Sequence, residues 1–439
     1  MFQPLYTADE MRAAEQGHDV EALMERAGRA VAESVLRRYP DARRIAGICG
    51  QGANGGDGRI ALRILEEAGR ETTEELGGEV DVVIDALFGT GFHGEPRPEA
   101  AALIERINAT GVPIVAVDLS SGVDASSGEV AGAAVRAEVT VTMHGPKVGL
   151  LVAPGRFLAG EVEVADIGLA SADTAHRLVT DEILRLVPRR RERDTKYTAG
   201  SVLVVGGSPG LTGAACLAAE AAFRSDAGYV SVCVPEASLP VIETLLVEAV
   251  KAPRERIDEL AERASSLAVG PGLGRGDEER ALVRRLLAER DAPAVVDADA
   301  LFELEPARWP APRVLTPHAG ELARLLGVDS KWVDAHRLEA LSRAVERFAC
   351  VILLKGSDTL VGAPGQGVLV CSSGTPALAT AGTGDVLTGV VASFLAKGMD
   401  ARLAAAAGAV AHGRAAQLAP NQVGLVASDV IDSLPLALA

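Results

Sequence analysis

Aromatic side chains are scarce: Phe, Tyr and Trp together make 3% of 439 residues. A core built from this chain must rest on Ala, Val, Leu and Ile. Hydrophobic residues at 48% against 23% charged supply enough for one and exclude long disorder. Cysteine is also sparse, with five scattered at positions 49, 216, 233, 350 and 371. The count is odd and no C-x-x-C pair occurs, which excludes a disulfide framework or a zinc site and fits a reducing, cytoplasmic location. Residues 1–12 carry no basic stretch followed by an apolar one, so no secretory leader is expected. The richest apolar run, 403–411, is too short and Ala-rich to span a bilayer. Basic charge is in deficit, with 43 Lys plus Arg against 60 Asp plus Glu. That balance argues against nucleic acid and anionic membranes as partners. It leaves small anions possible, because backbone amides at a helix start bind phosphate whatever the net charge.

What is present is an alternation of strands and helices. Apolar runs at 45–49, 80–85, 112–118 and 139–142 read as strands, and 57–68 and 98–109 as helices. Such alternation predicts a parallel sheet covered on both faces. At Pro188 the pattern breaks into Arg189-Arg190-Arg191-Glu192-Arg193-Asp194, a solvated linker. A second α/β series follows, with strands at 201–205, 229–234, 293–297, 313–316 and 351–355. Apolar helices at 384–396 and 401–418 close the chain. Two domains are expected, 1–187 and 188–439.

The strongest chemical signal is Gly382-Thr383-Gly384-Asp385 ahead of an apolar helix. Free N–H groups and the helix dipole at such a start suit a phosphate. Asp385 has two readings: a helix-capping group, or a general base for a hydroxyl that attacks a phosphoryl group. Three more patches follow strands: Gly206-Gly207-Ser208 with Gly213, Gly270-Pro271-Gly272-Leu273-Gly274, and Thr316-Pro317-His318. Lys355-Gly356 ends another strand. The ends of parallel strands are where open sheets bind ligands. No P-loop occurs.

These residues, with Ala214 and Asp297-Ala298-Asp299-Ala300-Leu301, stand in the order found in NAD(P)H-hydrate dehydratases, so residues 190–439 resemble that ribokinase-like family. The resemblance implies a ribokinase-like α/β fold. It implies that Ala214, Gly272, His318 and Asp385 line the hydrated-nicotinamide site. Lys355, Gly356, Ser357, Asp358, Thr359 and Gly384 would hold the nucleotide, with magnesium (Mg2+) and ADP as co-substrate. Asp385 would be the catalytic base.

In the first half, Gly50-Gln51-Gly52-Ala53-Asn54-Gly55-Gly56-Asp57-Gly58 follows a strand and opens a helix, satisfying G-x-G-x-x-G. On its own that motif fits a dinucleotide site or a tight turn. Asp85-Ala86-Leu87-Phe88-Gly89-Thr90-Gly91 and Asp118-Leu119-Ser120-Ser121-Gly122 end two later strands. Asp85 and Asp118 could cap the segments that follow. Alternatively the three loops form one site at a sheet edge, where Asn54, Asp85 and Ser121 offer oxygens to a monovalent cation.

With Thr7-Ala8-Asp9-Glu10-Met11-Arg12 and Leu23-Met24-Glu25-Arg26-Ala27-Gly28, these motifs resemble NAD(P)H-hydrate epimerases over residues 1–185. The resemblance implies a Rossmann-like domain. Its substrate contacts would be Ala53, Asn54, Gly55, Gly56, Asp57, Gly89, Thr90, Gly91, Phe92, His93, Gly94, Glu95 and Asp118. Asp118 would be the acid–base residue, and Asn54, Asp85 and Ser121 would bind potassium (K+). Three departures stand out. Ala53 replaces the first Asn of Asn-Asn-Gly-Gly-Asp, Ser120 replaces a Pro, and 69–79 is short, with no β-like run. A sheet strand is therefore expected to be missing there.

Together the halves imply repair of hydrated NADH and NADPH by epimerisation of the R and S hydrates and dehydration of the S form, with ADP going to AMP and phosphate, in a homo-oligomer. The competing reading is a ribokinase-like small-molecule kinase fused to a non-catalytic binding or oligomerisation module.

Overall fold

A computed structural model describes residues 1–439. The chain divides into two compact units, Pro4–Arg177 with Asp334–Leu338, and Met1–Gln3 with Leu178–Val333 and Glu339–Ala439. Residues 178–187, ahead of the Arg-rich segment, join the second unit, where Val179, Ile183, Leu184 and Val187 are buried in the core.

The first unit holds a six-stranded parallel sheet in the spatial order Glu71–Thr73, Arg44–Cys49, Val82–Ala86, Ile114–Val117, Val139–Met143, Glu161–Ala165. The central strands are continuous runs of small and β-branched apolar residues, as sheets covered on both faces require. Helix Val20–Arg38 and helix Ala53–Glu67 pack Ala27, Val31, Val35, Ala61 and Leu65 onto one face. Helix Pro98–Asn108 covers the other with Ile104 and Ile107. The strand expected to be missing is present. Glu71–Thr73 pairs in parallel with Arg44–Ala46 at the sheet edge. Only three residues long and headed by Glu, it shows no apolar alternation, so its pairing is imposed by the neighbouring strand.

In the second unit seven parallel strands run in the order Val351–Leu354, Arg313–Leu315, Ala294–Val296, Ser266–Val269, Ser201–Val205, Tyr229–Val234, Val250–Pro253. Strands Thr359–Gly362 and Leu369–Cys371 extend the sheet antiparallel. Helix Thr383–Ala396 is buried along almost its whole length, and helix Ala401–Leu418 buries Ala404 to Ala407. A helix apolar all round belongs in a core. Small residues replace bulk here: a Cβ on Gly389 would lie 2.1 Å from the Ala218 carbonyl oxygen on helix Thr212–Arg224. Gly389→Ala is therefore expected to destabilise this unit by about 1–3 kcal/mol through overpacking, read as a lower unfolding midpoint in urea. No helix is long and apolar enough to cross a membrane.

Candidate active sites

All seven parallel strands of the second unit end at one edge, and the chemistry gathers there. Asp297 follows strand Ala294–Val296 and is almost fully buried. Its Oδ1 accepts a 2.7 Å bond from Lys355 Nζ, just past strand Val351–Leu354, and its Oδ2 a 2.9 Å bond from Thr388 Oγ1. Lys355 Nζ also lies 3.9 Å from the Glu321 carboxylate. Burial works against the Lys355 charge, but Asp297, Glu321 and Asp385 outweigh it and hold the ammonium above its usual range. A Cβ on Gly384 would stand 3.4 Å from that ammonium. The lysine thus faces the first turn of helix Thr383–Ala396.

The helix begins at Gly382, whose φ of 91° is open to glycine and costly for others, and no side chain caps it. Asp385 is therefore not the capping group. Burial and Asp297 push its carboxyl up to about 7, against the pull of Lys355. A carboxyl of that affinity can take a proton near neutral pH, which a base for a hydroxyl must do.

Ala214 and Gly272 meet directly, since a Cβ on Gly272 would lie 3.2 Å from Ala214 Cβ. His318 also follows a strand at this edge, but it caps helix Ala319–Leu326, with Nδ1 accepting from Gly320 N at 3.0 Å and Glu321 N at 3.2 Å. That role fixes its tautomer, with any proton on Nε2. In the segment 355–359, Gly356 and Ser357 are exposed and Asp358 is fully buried. Asp297, Glu321 and Thr388 were not singled out as site residues from the sequence. Asp297 had the signal that Asp118 had, an acid directly after an apolar strand.

In the first unit the strand ends surround a cavity of about 830 Å³. Of the residues expected to contact substrate, Ala53, Asn54, Asp57, Gly89, Thr90, Gly91, Phe92, His93 and Asp118 line it. Gly55, Gly56, Gly94 and Glu95 do not. Gly55 packs against its own turn, where a Cβ would strike the Gly50 carbonyl oxygen at 2.0 Å, and a Cβ on Gly56 would meet Met24. Glu95 lies beside Gly132.

Asp118 sits at φ 65°, an uncommon conformation for a residue with a side chain. Its Oδ1 accepts from Met143 N at 2.9 Å, Thr142 Oγ1 at 3.1 Å and the Lys147 ammonium. Lys147 is fully buried and donates also to Thr142 Oγ1 and the Met143 carbonyl. All the bonds to Asp118 reach one oxygen, leaving Oδ2 uncommitted. Lys147 did not enter the reading of the sequence, although it is the only lysine before residue 196 in a half otherwise basic through Arg.

Asn54 and Ser121 meet at the Phe88 backbone, and Asp85 bonds to Ser121. Phe88 N donates to Ser121 Oγ at 2.8 Å, and Asn54 Nδ2 donates to the Phe88 carbonyl at 2.8 Å. Asp85 is fully buried and accepts from Ser121 N, Ser121 Oγ and Leu87 N. Burial still pushes its carboxyl up to about 6, and no cationic side chain contributes. Asp85 caps no helix. An enclosed carboxylate with hydroxyl, amide and carbonyl oxygens around it matches the donor set of a hard monovalent cation.

Comparison with known proteins now identifies the chain's relatives. A family profile described as NAD(P)H-hydrate dehydratase matches residues 202–435. One described as YjeF-related protein N-terminus matches 20–74 and 66–149. The bifunctional NAD(P)H-hydrate repair enzyme of Moorella thermoacetica is 38% identical, covering 95% of this chain and 92% of its own. That of Escherichia coli K12 is 32% identical, over 98% and 94% respectively. Among solved structures, the ADP/ATP-dependent NAD(P)H-hydrate dehydratase of Bacillus subtilis, co-crystallised with ATP/Mg2+, is 30% identical. It covers 59% of this chain and 96% of its own, with a TM-score of 0.55. By these likenesses, running the length of both units, the chain belongs to the family of bifunctional NAD(P)H-hydrate repair enzymes.

Proposed function

We propose that the second unit dehydrates hydrated NADH and NADPH at the expense of a nucleotide, and that the first interconverts the two epimers of the hydrate. The observation that carries the first part is Asp385, uncapped in the opening turn of a glycine-started helix and beside Lys355. The hydrate carries a hydroxyl next to the ring nitrogen, and hydroxide is a poor leaving group. Asp385 takes the hydroxyl proton as the oxygen bonds to the nucleotide's terminal phosphorus and the bond to the departing nucleotide breaks. The nitrogen lone pair then expels phosphate, and loss of a proton from the adjacent ring carbon restores the dihydropyridine. The helix-start amides and Lys355 stabilise the moving charge. Lys355, Gly356, Ser357, Asp358, Thr359 and Gly384 form the nucleotide side. Asp358 is enclosed by protein, so its part there is through the backbone. Ala214, Gly272 and His318 form the hydrate side. Magnesium supplies charge neutralisation on the phosphates, and ADP is the donor.

A ribokinase-like kinase would stop at a stable ester, and the family membership speaks against it. The test is mixed-epimer hydrated NADH incubated with ADP, magnesium and potassium. Regenerated NADH in step with AMP and phosphate is expected. Consumption of ADP with a phosphorylated product accumulating and no NADH would sink the dehydratase reading.

Asn54, Asp85 and Ser121 would hold potassium, which offsets the buried charge of Asp85 and ties three loops of the cavity together. Exchanging potassium for choline at equal ionic strength is expected to lower the first unit's melting temperature. Asp85→Asn should remove that difference. Equal melting of the unaltered protein in both salts would discard the cation site.

A further inference from the structure

The cavity of the first unit holds more acid than the proposed mechanism has used. Glu15 from helix Ala8–Glu15, Asp57 from helix Ala53–Glu67 and Asp118 after strand Ile114–Val117 all line it. The cation among them is Lys147, and its ammonium is bonded to Asp118. The other titratable side chains on elements packed here are Arg12, which pairs with Asp9 and acts on Glu15 from the same helix, His93, which pairs with Asp124 at 2.7 Å, Cys49, and His144, whose ring is tilted against Tyr6. Helix Val20–Arg38 presents Val20, Leu23, Met24 and Ala27 to the cavity, all apolar. One ammonium cannot keep three neighbouring carboxylates ionised in an enclosed space. Asp118 has it directly. Glu15 is exposed at the rim, although partial burial and Asp118 raise its carboxyl too. Asp57 is 9% exposed, and its Oδ1 is buried with no hydrogen-bond partner.

We propose that Asp57 is the proton donor of the epimerase site, acting on the ring nitrogen while Asp118 acts on the hydroxyl. This rests on the epimerase reading of the first unit. The step balances without a further reactant. Asp118 takes the hydroxyl proton, the carbon–oxygen bond becomes a carbonyl, and the carbon–nitrogen bond breaks with its electron pair passing to nitrogen. Asp57 gives nitrogen a proton. The product is an open-chain aldehyde bearing an enamine. Rotation about the bond next to the aldehyde turns its other face to nitrogen. Reclosure returns both protons and leaves the opposite configuration. Such chemistry needs one carboxyl ionised and one protonated at the same pH, and two carboxyls in unlike surroundings are how one site provides both. The surroundings differ as required. Burial, then Asp118 and Glu15, push the Asp57 carboxyl up to about 8. Asp118 instead has an ammonium, a hydroxyl and a backbone amide on one oxygen.

The full-length protein, given the purified R hydrate of NADH with potassium and no nucleotide, is followed by chromatography of the two epimers. Epimerisation by the unaltered protein is expected to fall as pH rises through about 8, as the donor loses its proton. Asp57→Asn should lose about 10²–10⁴-fold, the scale of a missing general acid, and should lose that alkaline fall as well. Asp57→Ala should regain rate in proportion to added imidazole buffer, which a merely structural role would not produce. Dehydration of the S hydrate with ADP, carried by the other unit, reports that each variant has folded. If the unaltered protein leaves the R hydrate unchanged, the epimerase reading falls and this assignment with it. If it epimerises and Asp57→Asn does so equally fast, or if its own rate stays level through the alkaline range, only the assignment of Asp57 is overturned.

Discussion

Asp385→Asn is expected to reduce dehydration of the S hydrate by about 10²–10⁴-fold, the usual cost of removing a general base, while nucleotide binding stays nearly intact. The amide keeps the shape of the carboxyl but cannot accept the proton. The groups that would hold phosphate, the amides at the start of helix Thr383–Ala396 and the Lys355 ammonium, are untouched. The pH dependence should follow from the same carboxyl. Burial raises it to about 7, so it holds its proton below that value and is available as a base above it. In the unaltered enzyme kcat/KM should therefore climb as pH rises through about 7, and the residual rate of Asp385→Asn should lack that climb. The same shift has an opposite sign for stability: a carboxyl raised in the folded state contributes most below its unfolded value and loses that contribution as pH rises through about 7. Turnover is read from NADH absorbance and binding from calorimetry with ADP. A variant that keeps most of its turnover removes Asp385 from the mechanism.

Much of this site was legible because parallel strands leave a strong trace. Ser201–Val205 and Tyr229–Val234 are apolar runs with only a serine in each, stopped by Gly or Pro, and helix Ala401–Leu418 is marked by its Ala content. Each run ends where a sheet must open to solvent, so the glycines and acids just beyond fall at one edge without further knowledge. What failed was whatever depends on a distant partner. Glu71–Thr73 is a strand only because Arg44–Ala46 lies beside it. Thr359–Gly362 and Leu369–Cys371 are short antiparallel additions carried by a neighbour in the same way. Lys147 stands 29 residues from Asp118 in sequence, and nothing local in His144-Gly145-Pro146-Lys147 announces an ion pair. His318 has a local role besides the one its place suggests. Its place after a strand suggested ligand contact, whereas the nearest use of its Nδ1 is to satisfy two amides at a helix start.

The two activities should separate by mutation. Each unit carries its own sheet and its own ligand edge, and dehydration demands one stereoisomer because the hydroxyl must lie in line with the donor phosphate. An epimerase would feed the other isomer into that site. Given mixed-epimer hydrate with ADP, magnesium and potassium, the unaltered protein should consume the whole sample in one phase. Asp118→Asn should consume the S fraction at the normal rate and then slow to the pace of spontaneous epimerisation, since Oδ2 of Asp118 would no longer be a base. Asp385→Asn should do the reverse, forming almost no NADH while the epimers still reach equilibrium by chromatography. Lys147→Met should resemble Asp118→Asn in its second phase, because Asp118 loses the ammonium that holds its Oδ1 and with it the placement of Oδ2. A general folding defect would slow the first phase as well. If Asp118→Asn still consumes the sample in one fast phase, Asp118 is not the base. If the unaltered protein is itself biphasic, the first unit binds the hydrate without turning it over, and the short turn between Thr73 and Val82, in place of a longer connection, is where the difference from active relatives should be sought.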